Sequence, residues 1–171
     1  MLRFIPVLLF VCAACAAPVP AQAHGGHRHG EADLLVSVEG AELVVRLETP
    51  LDNLLGFERA PRTPPERAAA ERLLQRLKAG EGLFQPSTAA GCSLAQARVE
   101  APVLQGREAA SGHADLAAEW RYLCRAPQAL TGLRVLLWRE HPRLTRLNAV
   151  VAGPRGQKAQ RLTARLPDLA W

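Results

Sequence analysis

The sequence predicts an α+β domain: an antiparallel β-sheet of about six or seven strands with one main helix and one disulfide. Three observations carry that reading. Apolar and polar residues alternate in several short, separate runs, the pattern of half-buried strands. Only residues 63–80 combine a helical apolar period with start and stop signals. Two cysteines, Cys92 and Cys124, lie in the strand-rich part of a chain that opens with an export signal.

Residues 1–23 read as a signal peptide. Arg3 supplies the positive start, Phe4 to Ala17 the apolar core, and Ala21-Gln22-Ala23 the small-x-small cleavage pattern. The apolar run, about 14 residues, is too short for a stable membrane span. Cys12 and Cys15 sit near its end, which leaves a lipoprotein as the alternative reading. Cleavage after Ala23 leaves 148 of the 171 residues, enough for one domain with a sizeable core, and no membrane span in the mature form. The mature charge is +4, since only Arg3 departs with the signal. Nearly all of it is arginine, scattered among few aromatics. That distribution reads as a solvated surface and argues against nucleic-acid binding.

Residues 24–32 are rich in glycine and histidine, without apolar periodicity, and are expected to be a flexible tail. Residues 33–171 read as a single domain. Leu34, Val36 and Val38 share one strand face, and Leu43, Val45 and Leu47 share the next, with Glu39–Glu42 as the turn of a hairpin. Pro50, Gly56 and Pro61 keep residues 49–62 irregular, yet Leu51, Leu54, Leu55 and Phe57 should pack that segment onto the body. Thr63 and Glu66 have capping-box spacing, with Pro64 tolerated in the first turn. Ala70, Leu73, Leu74 and Leu77 then form one apolar stripe, and Arg76, Lys78 and Gly80 suit a helix end. Strand patterning resumes at Cys92 and Leu94, and again at Trp120, Tyr122 and Cys124. Leu133 to Trp138 reads as a central strand. Leu147–Val151 and Arg161–Leu166 flank a turn at Gly153-Pro154-Arg155-Gly156. In an oxidising compartment Cys92 and Cys124 are expected to pair, a bridge worth roughly 3–4 kcal/mol by loop entropy. As thiolate ligands they would need close Cys or His neighbours, which they lack.

The chemistry points to metal. Of five histidines, His24, His27 and His29 fall within six residues. Neutral imidazole is a good ligand for zinc, copper and nickel. His27 and His29, two apart, project to the same side of an extended chain. Cleavage after Ala23 would free the amine of His24, which would favour copper. In the body, His113 is the best candidate partner. Asp115, two residues on, is either a further ligand or a hydrogen-bond acceptor that orients the ring. Glu58 and Asp52 are possible oxygen ligands, and His141, before Pro142, reads as a turn residue. No Gly-x-Ser-x-Gly, His-Glu-x-x-His or phosphate-binding glycine loop is present, and no serine has a nucleophile context. These features favour a non-catalytic metal-binding protein. The alternatives are a zinc-dependent enzyme with metal-activated water, or a copper protein built on His24.

The order of features is a signal peptide, His27-Arg28-His29-Gly30, a hairpin and Pro50-Leu51-Asp52-Asn53-Leu54-Leu55-Gly56-Phe57-Glu58. A helix, Cys92, His113 with Asp115, Cys124 and a late Gly156-Gln157 follow. This order resembles the periplasmic zinc-binding ZrgA-like family over nearly all of the mature chain. The resemblance implies a bacterial periplasmic protein that binds zinc and assists its acquisition, beside an ABC-type zinc importer or its binding protein. By that resemblance His27, His29, His113 and Glu58 match family motif positions. Two departures stand out. The family pattern generally continues Gly-Phe-Glu-His, whereas Arg59 stands here. Many relatives carry a longer histidine-rich insertion before the position of His113, where this chain has only Gln105 to Gly112. Both reduce the ligand count, and Arg59 would repel a cation if it pointed into the site.

Overall fold

A computed structural model describes residues 28–107 and 114–171. The expected hairpin is present. Strands β1 (Glu31–Glu39) and β2 (Glu42–Pro50) pair antiparallel, with Val38 opposite Leu43 and Asp33 opposite Glu48. Period-2 alternation buries Leu34, Val36, Val38, Leu43, Val45 and Leu47, and turns Asp33, Arg46 and Glu48 to solvent. Strand β1 starts two residues inside the segment expected as tail, because buried Ala32 already pairs with Leu147.

A one-turn helix, α1 (Asp52–Leu55), follows β2, and then the main helix, α2 (Pro64–Ala79). The capping box at the start of α2 is complete: the Glu66 N–H donates to Thr63 Oγ1, and the Thr63 N–H donates to Glu66 Oε2, each at 3.3 Å. Ala70, Leu73 and Leu77 are buried. Gly80 ends the helix at φ +68, a left-handed conformation that disfavours other residues. A Cβ there would lie 2.7 Å from Leu94 and 2.8 Å from Trp120. Glycine therefore serves both the chain reversal and the close approach of helix to sheet.

The remaining strands are β3 (Phe84–Pro86), β4 (Cys92–Glu100), β5 (Asp115–Cys124), β6 (Gly132–Val135), β7 (Arg146–Gly153), β8 (Gly156–Leu162) and β9 (Asp168–Ala170). Six form one sheet in the order β4-β5-β2-β1-β7-β8, and β3-β6-β9 form a second. The α+β class holds, with one amendment: β1 and β7 run parallel, so the larger sheet is mixed. Such a pair needs a long crossover, and here everything between β2 and β7 supplies it. Residues 133–138 do contribute a central strand, but of the smaller sheet, and it is short: β6 ends at Val135 and Leu137–Arg139 form a 3₁₀ turn. Strand β8 starts directly after the Pro154-Arg155 turn and ends at Leu162, with Thr163 and Leu166 closing a further turn.

Cys92 and Cys124 sit directly opposite in the β4–β5 register and form the expected disulfide. Midway along β5, opposite Ala97, Trp120 is fully buried. Its Nε1–H donates to the Leu77 carbonyl at 2.8 Å, and its ring lies 4.9 Å from that of Phe84. One apolar cluster thus joins the larger sheet, α2 and the smaller sheet. Among the described residues, no helix is long and apolar enough to cross a membrane. The strand registers also set a geography. The starts of β1, β5 and β7 and the finish of β2 all lie at one end of the larger sheet. The disulfide and the β1–β2 turn lie at the other.

Candidate metal centre

The chain enters β1 through a tight turn. The Glu31 N–H donates to the Arg28 carbonyl at 3.0 Å, with His29 and Gly30 between them. Gly30 has φ +80, the left-handed value that a type II turn demands at its third position. Its carbonyl accepts from the Thr145 and Arg146 N–H groups, at 2.8 and 2.9 Å, and from the Thr145 hydroxyl at 2.9 Å. Its N–H donates to Asn53 Oδ1 at 2.6 Å. Asn53, in α1, is 1% exposed, and its amide nitrogen donates to the Glu31 carbonyl at 2.7 Å and to Thr49 Oγ1 at 3.0 Å. The turn before β1 is thus fastened to α1 on one side and to the start of β7 on the other.

This fastening presents His29 to two carboxylates. Its Nδ1 lies 3.1 Å from Asp52 Oδ2 and 3.9 Å from Glu58 Oε1. The imidazole is 73% exposed, while the Asp52 and Glu58 side chains are 23% and 31% exposed. Imidazole nitrogen with carboxylate oxygen is a donor set zinc accepts. Two ligands, each about 2.0–2.1 Å from a tetrahedral ion, stand about 3.3 Å apart. The two observed separations bracket that figure, so His29 and either carboxylate form a candidate two-ligand arrangement open to solvent. It is not a closed site: among the described residues no group of three or more His, Cys, Asp or Glu side chains is placed to hold a metal.

Other expected ligands fall differently. His24, His27 and His113 lie outside the described residues. Asp115 opens β5, opposite Pro50, and lines a cleft of about 720 Å³ with Arg28, Glu31, Asp33 and Glu48, among others. Neither His29, Asp52 nor Glu58 lines that cleft. The same end of the sheet nevertheless receives this part of the chain, since the Leu51 N–H donates to the Ala114 carbonyl at 2.9 Å. His141 opens a turn, as expected, its carbonyl accepting from the Leu144 N–H at 3.1 Å, and it is buried, 7% exposed, against the Leu54 backbone of α1. Burial, with a smaller push from Arg76, lowers its pKa against the opposing pull of Glu140 and the Leu54 backbone.

Arg59 does not threaten a cation. Its guanidinium forms a bidentate pair with Glu66, at 2.9 and 2.7 Å, and lies 5.1 Å over the Phe57 ring. Glu66 also accepts from the Arg62 N–H at 2.6 Å. Arg59, followed by the Arg62 and Thr63 backbone, holds the Glu66 pKa down at about 2. The positive charge at position 59 is therefore balanced at the start of α2.

Sequence reasoning missed Asn53, Gly30 and Thr145, which shape the site without being ligands. A polar residue set among Leu51, Leu54 and Leu55 was the signal for Asn53, and a glycine directly after His29 was the signal for Gly30.

Comparison with known proteins sharpens the picture. No curated protein matches the chain. A family model, described as the ZrgA family zinc uptake protein, matches residues 26–171, a span that includes the turn, α1, α2 and both cysteines. The chain therefore belongs to the ZrgA family of zinc uptake proteins.

Proposed function

We propose that this protein binds zinc in the periplasm and assists its uptake without catalysis, as a carrier or buffer beside an ABC-type importer or that importer's binding protein. The single observation behind the reading is the convergence of His29 with Asp52 and Glu58 at one end of the sheet. The sequence offers further imidazoles. His27 is two residues from His29, and His113 directly precedes Ala114, which is hydrogen-bonded to Leu51. His24 extends the same arm, and Asp115 stands at the start of β5. An exposed imidazole facing half-buried carboxylates lets an ion enter and leave from solvent, as a protein that passes its cargo on requires. Coordinating histidine must be neutral, so protons compete with the ion for these rings.

The test is calorimetric titration of the exported protein with zinc and with copper. It compares wild type with His27→Ala/His29→Ala, His113→Ala and Glu58→Ala. The expected result is chelator-removable zinc, weakened about tenfold or more by the double histidine substitution. Absence of zinc binding, or affinity indifferent to every substitution, overturns the reading. Tighter copper binding that depends on a free His24 amine would reassign the metal. Metal-dependent hydrolysis of ester or phosphate substrates would reassign the protein to the enzymes.

A further inference from the structure

Two sets of bonds hold the turn before β1, and they do different work. Thr145 and Arg146 grip the Gly30 carbonyl and so tie β1 to β7, strand to strand. Asn53 grips the other side, taking the Gly30 N–H on its oxygen and giving its amide hydrogens to Glu31 and Thr49. Asn53 belongs to α1, which also carries Asp52. On the other partner, Gly30 is the immediate neighbour of His29. The carboxamide thus links the residue next to one proposed ligand with the residue next to another, 23 positions away along the chain.

We infer that Asn53 is a positioning residue of the zinc site: its buried carboxamide registers the His29-Gly30 turn against α1, so that imidazole and carboxylate stand ready before the ion arrives. The inference rests on the reading of His29, Asp52 and Glu58 as zinc ligands. Its physical content is preorganisation. Without the carboxamide the turn is still anchored to β7, but the exposed His29–Asp52 contact replaces a buried bond as its tie to α1. Each binding event must then order the turn against α1, at the expense of affinity. Oxygen and nitrogen are both engaged, so no apolar residue of similar size can substitute. Aspartate supplies the acceptor for Gly30 but not the donor for Glu31.

The experiment is a double-mutant cycle read by zinc affinity, using wild type, Asn53→Ala, His29→Ala and the double variant. The cobalt-loaded visible spectrum serves as a second readout of ligand geometry. Asn53→Ala should weaken zinc about tenfold or more, the range for partners that orient ligands, and alter the cobalt spectrum. In the His29→Ala background the same substitution should change affinity less than about twofold, because the residue it positions is gone. Equal losses in both backgrounds would mean that Asn53 serves the fold in general, and would overturn the inference. So would a wild-type affinity in Asn53→Ala. If His29→Ala alone leaves zinc binding intact, the zinc-site reading falls and the inference falls with it. Should Asn53→Ala fail to fold, Asn53→Asp carries the same cycle, with a smaller but still His29-dependent loss expected.

Discussion

The two ends of the larger sheet are held by different forces. At one end stands the Cys92–Cys124 disulfide, and midway along β5 Trp120 is buried between Phe84, Leu77 and Gly80. At the other end a turn, a one-turn helix, the end of β2 and the starts of β1 and β7 are joined by polar contacts through Gly30, Asn53 and Thr145. The disulfide and the apolar core resist unfolding, since hydrophobic burial and a covalent link are insensitive to what is bound elsewhere. The polar end is ordered but open, with a histidine largely in solvent above two carboxylates. A protein that must keep its fold while gaining and losing an ion needs both. Stability and ligand geometry should therefore respond to different substitutions.

The largest effect expected is on stability. Trp120→Ala should cost about 3–5 kcal/mol, the range for removing a large buried aromatic, in urea unfolding under oxidising conditions. The folded fraction should keep its zinc affinity within about twofold. A comparable fall in zinc affinity would break the separation of the two ends.

Gly30→Ala should reverse that balance. Any Cβ at position 30 meets the Thr145 hydroxyl at 2.8 Å, and φ +80 strains a non-glycine residue. The stability loss should be about 1–3 kcal/mol, with zinc affinity falling about tenfold or more. Calorimetry and urea unfolding on the same preparation decide it. A stability loss without an affinity loss would detach the turn from the site.

Acid should sharpen the contrast further. His141 is buried at the site end, with a pKa held below the usual imidazole range. The unfolded chain takes up that proton more readily than the folded one. The associated stability is therefore present above about pH 6.5 and is lost as pH falls below it toward the folded value. A thermal-melt series on the metal-free protein should show this decline, and His141→Phe should flatten it. An unchanged slope would assign the acid sensitivity to other groups.

The smallest effect belongs to Glu66. Glu66→Gln should barely move the melting temperature, since the pair with Arg59 is at the surface. It should also weaken zinc slightly by releasing the Arg59 charge, with the change fading at high salt. Tighter zinc binding in this variant would contradict the account of Arg59.

How much of this was legible in the sequence depends on the range of each signal. The β1–β2 hairpin and the α2 capping box are written in residues a few positions apart, and both stand where their patterns placed them. The cysteines needed only their number and compartment. Strands β3 and β9, of three residues each, are too short to show a period. Strand β8 is exposed along most of its length, so it has no apolar face to read. The parallel β1–β7 pair joins strands more than a hundred residues apart, and no local pattern marks it. The histidine cluster pointed to His29 and the irregular segment to Asp52 and Glu58, but the tie between the His29-Gly30 turn and α1 runs through Asn53. Its partners, Gly30, Glu31 and Thr49, lie on two strands and a turn, and nothing in its own neighbourhood names them.

The most direct test of the division between the two ends is a map of backbone amide shifts as one equivalent of zinc is added to the metal-free protein. The account predicts changes concentrated at residues 28–31 and 52–58, with Gly30 and Asn53 prominent, and little change at Cys92, Trp120 and Cys124. Shifts centred on the disulfide end, or no shifts at residues 28–31 and 52–58 at saturating zinc, would contradict it.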